Sequence, residues 1–277
     1  MNTHSAVETY LQDFHQRQTG ATGAAFLNLD ANSAGVDYAS SYAVLSARVP
    51  DLPEAMTVLD LACGDGHLLK LLADRQQPGL RLVGVDMSQG ELDAARAHLP
   101  AEVTLLNERA QALSIETGTI SCVVSHMALM LMENIEQVLG EVRRVLRPQG
   151  QLAAVVGRTF LLGAVNEVYL SMLRPILKED AAPLPFGDRR TRTEAGWTEL
   201  LELGFEHVQF EDVDVKWSPL PDELWGALTG TYDVDRLSLP ARELLKARLF
   251  DAIAPLQQSD GRIATGWGLR LVHARAA

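Results

Sequence analysis

The chain has 277 residues, 47% apolar and 22% charged, and a net charge of −12. That length and balance describe a globular protein large enough for one elaborated α/β domain with a cap. The acidic surface repels phosphate backbones and anionic headgroups, which argues against nucleic acid or membrane as the main partner. The only adjacent basic pairs, Arg143-Arg144 and Arg189-Arg190, read as solvated surface.

Residues 4–18 carry Val7, Tyr10, Leu11 and Phe14 on one helical stripe. Residues 19–37, rich in Gly, Ala, Asn and Thr, read as loop with one short helical turn, and 38–49 as a second amphipathic helix. From Thr57 the texture changes. Short apolar strands at 58–62, 80–86, 103–106, 120–125 and 151–157 alternate with helical runs. Ser88, with Glu91 three residues on, predicts a capping box for one of those helices. Residues 160–192 break the alternation with an apolar helical stretch and a Pro-rich turn. A helix at 194–203 and a strand at 208–217 resume it. Residues 218–260 break it again, and a last strand runs from 261 to 275.

Alternating short strands and helices imply parallel strands covered on both faces. The predicted fold is α/β, a doubly wound, mostly parallel seven-stranded sheet with helices on both faces. Residues 1–50 form a helical arm. Residues 51–277 form the main domain, with cap insertions at about 160–192 and 218–260 that shield the strand ends. Two cysteines, Cys63 and Cys122, in unrelated settings suggest neither a disulfide framework nor a metal site. A reducing, cytoplasmic setting is expected. The N-terminal residues lack the pattern of a secretory signal, and no apolar run approaches the ~20 residues of a membrane helix. A monomer or homodimer is expected.

The first strand ends in the turn Ala62-Cys63-Gly64-Asp65-Gly66, which opens a helix. Glycines there permit positive φ and close approach of a ligand to the backbone. Asp86 ends the second strand, twenty positions after Gly66, where a carboxylate can accept both hydroxyls of a ribose. Together these features point to an adenosine-type ligand. A dinucleotide fingerprint requires a third glycine, and Leu69 stands in its place, which argues against a diphosphate and a nicotinamide cofactor.

Leu59-Asp60-Leu61-Ala62-Cys63-Gly64-Asp65-Gly66 resembles the first motif of class I S-adenosylmethionine-dependent methyltransferases. Val83-Gly84-Val85-Asp86-Met87-Ser88, Val123-Val124-Ser125-His126-Met127 and Val145-Leu146-Arg147-Pro148-Gln149-Gly150-Gln151-Leu152 resemble later motifs in the right order, over residues 57–157. The resemblance implies S-adenosylmethionine as methyl donor, with no metal. Asp60, Ala62, Cys63, Gly64 and Gly66 then surround its methionine part. Asp86 holds the ribose, Met87 packs on the adenine, and Ser125 and His126 lie near the donor methyl. Two positions depart from the pattern. Ala62 replaces the usual first glycine, a small change. Arg109 replaces the usual adenine-side Asp, a large one. Arg109 can stack on the ring or point to solvent, and the backbone N–H of Ala110 remains available to the adenine.

The fourth strand ends in Ser125-His126-Met127-Ala128, without the Asn/Asp-Pro-Pro-Tyr/Phe signature of base and amide N-methyltransferases. A small-molecule acceptor is expected, methylated on oxygen, nitrogen or carbon. His126 is the first candidate for a general base, since imidazole titrates near neutrality; a packing role is equally open. His15 on the arm and Tyr42 on the second helix are further candidates, each also readable as surface or core. Glu167 and Tyr169 are cap candidates only. Phe160, Phe186, Trp197, Trp217 and Trp225 can flank a flat acceptor or simply fill core. Two further alternatives remain: another reaction on the same fold, such as a cyclisation, and a protein that binds the nucleoside without catalysis.

Overall fold

A computed structural model describes residues 5–52 and 54–277; residue 4 of the predicted first helix lies outside them. Among the described residues, nine strands form one mixed sheet. The strands are β1 (Ala31–Ser33), β2 (Val36–Tyr38), β3 (Met56–Leu61), β4 (Leu80–Asp86), β5 (Thr104–Asn107), β6 (Ile120–His126), β7 (Leu146–Thr159), β8 (Phe205–Trp217) and β9 (Thr265–Ala276), in the order β2-β1-β8-β9-β7-β6-β3-β4-β5. The helices are α1 (Ala6–Arg17), α2 (Ala21–Phe26), α3 (Ser41–Ser46), α4 (His67–Ala73), α5 (Gln89–Arg96), α6 (Ile135–Val145), α7 (Val165–Asp180), α8 (Glu194–Leu201), α9 (Pro221–Thr229), α10 (Tyr232–Asp235) and α11 (Leu239–Ile253).

The seven expected strands are β3 to β9. The pairs β3–β4, β4–β5, β3–β6 and β6–β7 run parallel. The remainder of the sheet is antiparallel, so it is mixed rather than mostly parallel. Trp217 at the end of β8 pairs with Thr265 at the start of β9. The chain therefore leaves the sheet and re-enters it at the same end, after α9–α11, and β9 must run back against both β8 and β7. The two extra strands are the β1–β2 hairpin, read from sequence as loop. Ala34 and Gly35 both have positive φ (50° and 82°), which is the requirement of a two-residue hairpin turn. Its strands are three residues long and carry Asn, Ser and Asp, so neither length nor alternation announces them.

Alternation along the parallel strands sorts side chains between two cores. Val58, Cys122, Val124, Ala153 and Val155 join α3, α4, α7 and α11 on one face. Leu59, Leu61, Val123, Leu152 and Ala154 join α6 and α8 on the other. Fully buried Trp197 belongs to this second core. No helix of the described residues is long and apolar enough to cross a membrane. Arg144 and Arg190 are spent on Glu141 and on Asp188, Glu136 and Glu199.

Strand order reverses at β3: β4 and β5 lie to one side, β6 and β7 to the other. Such a switch point leaves a crevice outside the strand carboxyl ends. Here the crevice is walled by the ends of β3, β4 and β6, and helices α1, α2 and α10 bring His15, Gly20, Gly23 and Tyr232 over it.

Candidate cofactor cleft

The floor of the cleft is the turn after β3. Ala62 has φ +60°, Gly64 +53° and Gly66 +79°. An alanine in that left-handed region costs roughly 1–2 kcal/mol. A Cβ on Gly66 would lie 2.7 Å from Leu99 Cδ1 and 3.0 Å from Ala95, so glycine there also lets the turn pack against α5. The next turn is tied to the first: Asp86 accepts the N–H of Gly64 at 2.9 Å and of Ser88 at 2.8 Å. Burial raises the Asp86 carboxyl above its ordinary range in spite of these two donors.

Among the described residues, seven acidic ones line the cleft, and Asp60, Asp65, Asp86 and Glu91 gather around the turn after β3. Asp60 is fully buried on β3, and its carboxyl is pushed well up by that burial, then by the charges of Asp86 and Asp65. Burial, reinforced by Glu91, raises Asp65 as well. The Gly-rich segment at 19–23 explains how the arm reaches this acidic floor. A Cβ on Gly20 or Gly23 would sit 3.1 Å or 3.0 Å from Asp65 Oδ2. The N–H of Gly20 donates to Glu91 at 3.0 Å, and His15 Nδ1 lies 2.8 Å from the same carboxylate. The expected capping box of α5 is therefore only half made. Ser88 Oγ accepts the Glu91 N–H, but the Glu91 carboxylate turns to the arm instead of back to its own helix.

At the far end, Arg109 lines the cleft with its guanidinium turned to the arm. It pairs with Glu8 of α1, which is buried and also takes the Gln111 side chain. Met87 and Ala110 line this end, and Gln12 donates to the Met87 carbonyl at 3.4 Å. The arm thus meets the cleft at both ends, through the His15–Glu91 contact and the Arg109–Glu8 pair.

His126 ends β6 on the cleft wall, 6% exposed. Its Nε2 lies 2.9 Å from Ser41 Oγ, its Nδ1 is buried without a hydrogen-bond partner, and Tyr42 stacks on it at 3.8 Å between ring centroids. Burial pushes His126 down to about 3, so it is neutral at pH 7 and does not titrate where the sequence reading placed it. Tyr42 is buried beneath it, its phenol raised well above the ordinary value by burial and nearby carboxylates. Ser125 has no face on the cleft; its hydroxyl donates to the Leu61 carbonyl at 2.8 Å and braces β6 against β3. Cys63 lines the cleft as a buried thiol raised by desolvation. Of the cap candidates, Tyr169 is fully buried against Phe160, and Glu167 accepts from Asn166 away from the cleft.

The His126 shift has a measurable sign. Below an unfolded value near 6.5 the unfolded imidazole binds a proton that the folded one refuses, so this residue costs stability progressively as pH falls toward 3. His126→Asn is expected to lose less melting temperature than the parent between pH 7 and pH 4.5. Equal losses in the two proteins, measured by calorimetry, would contradict the assignment.

Glu8, Glu91 and Tyr232 line the cleft without having been singled out for it in the sequence. Glu91 had a plain local explanation as a cap. Glu8 and Tyr232 lie on segments far from the motifs, and only the closed fold brings them to the cleft.

The sheet is doubly wound around β3, with an acidic, glycine-floored crevice at its switch point, the place where open α/β sheets hold ligands. Residues 58–150 match the family model described as a methyltransferase domain. Demethylmenaquinone methyltransferase of Lactococcus lactis is 30% identical over 139 residues, 45% of this chain and 55% of that protein. Trans-aconitate 2-methyltransferase of Azoarcus is 35% identical over 116 residues, 42% of this chain and 44% of that one. The chain spans about half the length, or less, of the curated relatives it matches. Among solved structures, phosphoethanolamine N-methyltransferase 2 of Haemonchus contortus aligns with a TM-score of 0.57 at 15% identity, covering 99% of this chain and 60% of that one. The YcgJ protein of Bacillus subtilis gives 0.53 at 16% identity, covering 80% and 92%. Residues 58–150 are thus similar to a methyltransferase domain, and the solved structures share its fold.

Proposed function

We propose that this protein transfers a methyl group from S-adenosylmethionine to a small, specialised acceptor molecule. The observation that carries the reading is the meeting of the glycine turn with Asp60 and Asp86 at the switch-point crevice. The donor set fits the ligand. S-adenosylmethionine bears an ammonium, a sulfonium and two ribose hydroxyls, and the cleft offers carboxylates whose charge is uncomfortable when empty of cations. Asp86 would hold the ribose hydroxyls, Asp60 and the turn at Ala62 to Gly66 the methionine end, and Met87 and Ala110 the adenine.

When bound, S-adenosylmethionine supplies an electrophilic methyl carbon on sulfur. Transfer would join the acceptor's nucleophilic atom to that carbon as the carbon–sulfur bond breaks, with the electron pair staying on sulfur and the acceptor's proton passing to solvent. Holding the acceptor in line with that bond is the main task of the protein. The neutral His126, stacked on Tyr42, shapes the wall and offers one unpaired ring nitrogen for orientation. A weakly basic imidazole is a poor proton acceptor, so positioning rather than general-base catalysis is its assigned role. Relatives that act on a quinone precursor, on trans-aconitate and on a malonyl carrier protein support methyl transfer in general and leave the acceptor to be found.

The test is acceptor-dependent formation of S-adenosylhomocysteine together with a product one methyl heavier, followed by mass spectrometry. S-adenosylhomocysteine without a methylated product would favour another reaction on the same fold. Tight binding with no turnover across a broad acceptor panel would favour a binding protein.

A further inference from the structure

Beside the cofactor cleft lies a second cavity of about 370 Å³. It shares Thr22, Met127, Leu131 and Tyr232 with the cleft, so the two meet at one wall. Its volume is at the lower end of what ligand sites use, enough for one or two rings. Six aromatic side chains from six separate segments line it: Phe14, Phe26, Phe160, Phe186, Tyr232 and Trp267. They are set at angles, not stacked flat on one another. Phe160 meets Trp267 edge-on at 5.4 Å, and Phe14 meets Tyr232 edge-on at 4.8 Å. Aromatic walls at varied angles suit a flat guest that meets them edge-on or offset.

The polar groups of this cavity are few and selective. Arg158 is its one lining cation, and that guanidinium is already matched by Asp214 at 2.6 Å and Asp212 at 3.3 Å. Asp233 adds a half-buried carboxyl, raised by that burial. The Trp267 indole N–H is buried and has no hydrogen-bond partner, although the residue is only 7% exposed. A buried donor left unpaired costs free energy that a ligand can recover. Met127, at the shared wall, holds φ +55°, and its N–H is fixed on the Val155 carbonyl at 2.7 Å. A non-glycine residue in that region marks a backbone constrained by its surroundings, here where the two cavities join.

We infer that the aromatic cavity is the acceptor site, and that it takes an uncharged one- or two-ring aromatic molecule bearing a hydrogen-bond donor, a phenol-type hydroxyl or an amine, which Asp233 accepts. The inference rests on the methyl-transfer reading for its role and on the cavity alone for its chemistry. Carboxylate- or phosphate-bearing acceptors are disfavoured, because an anion entering here meets Asp233, the lining cation Arg158 is already matched, and nearby Arg236 lies over the Phe186 ring with its guanidinium on the Ala182 carbonyl.

The probes are 1-naphthol and its anionic counterpart 1-naphthoate, titrated calorimetrically into the full chain with and without S-adenosylhomocysteine. 1-Naphthol is expected to saturate one site and to bind at least tenfold more tightly than 1-naphthoate. Asp233→Asn is expected to narrow that preference about tenfold. Gly157→Leu is the blocking variant: Gly157 lines the cavity, and a Cβ there meets only Met130 Cε, at 4.0 Å, so a larger side chain projects into the space. It is expected to abolish 1-naphthol binding and leave S-adenosylhomocysteine binding and the melting temperature intact. S-adenosylhomocysteine bound with 1-naphthol unbound, or 1-naphthoate bound as well as 1-naphthol, overturns the acceptor assignment. 1-Naphthol bound at one site with S-adenosylhomocysteine unbound overturns the methyl-donor reading and leaves the aromatic cavity standing.

Discussion

Asp86→Ala is expected to weaken S-adenosylhomocysteine binding at least a hundredfold. A carboxylate that accepts two ribose hydroxyls makes charge-assisted bonds worth about 1.5–3 kcal/mol each, and every 1.4 kcal/mol is a factor of ten in affinity. The substitution also releases the N–H groups of Gly64 and Ser88, which hold the first two turns of the cleft together. Asp86→Asn separates the two contributions. Its amide oxygen can still take one backbone N–H, so the turns stay closer to their places, while the ribose loses a charged acceptor. Calorimetry is expected to rank the affinities parent, then Asn, then Ala. Affinity within threefold of the parent in the alanine variant would remove Asp86 from the site.

The part of the cleft legible in the sequence is the part built from contiguous residues. The turn at Ala62 to Gly66 and Asp86 announce themselves because a strand end, positive-φ residues and a following helix are local events. Both features lie on β3, β4 and their turns, inside the matched domain. The alternation that gave the seven scaffold strands is local in the same way. What sequence reasoning lacked comes from distance along the chain. Arg109 was readable only as an anomaly, since its partner Glu8 lies 101 positions earlier. Glu91 satisfied a local rule as a cap, and that explanation concealed its bond to His15, 76 positions away. The titration of His126 was misjudged for a related reason. A histidine at a strand end gives no sign from sequence that Phe26, Tyr42 and Ser41 will close over it. Of the aromatic candidates, Phe160 and Phe186 line the second cavity, whereas Trp197 went to the core behind the sheet, and Trp267, on the last strand, was not singled out.

Asp60→Asn is expected to move stability and binding in opposite directions. The Asp60 carboxyl is fully buried among Asp86 and Asp65, and its folded-state pKa is raised well above the ordinary carboxylate value. A group raised in this way contributes stability that is fully present below the unfolded pKa and is lost as pH rises toward the folded one. The unliganded protein therefore carries a cost that grows as the pH rises above the unfolded value. An asparagine of the same shape removes the charge, and relief of such a site commonly gains about 1 kcal/mol, which is roughly 2–4 °C in melting temperature for a domain of this size. The gain is expected to shrink as the pH is lowered, because protonation neutralises the parent's carboxyl there too. The same substitution removes a negative charge that a bound ammonium needs, so S-adenosylhomocysteine affinity is expected to fall tenfold or more. Ligand-induced stabilisation grows with the logarithm of ligand concentration over Kd, so the melting temperatures of parent and variant are expected to cross as S-adenosylhomocysteine is added. A variant that melts lower than the parent without ligand, yet binds it equally well, would mean that Asp60 serves the strand and not the cofactor. A crossing would mean that this fold carries an unfavourable buried charge for the sake of the cation it binds.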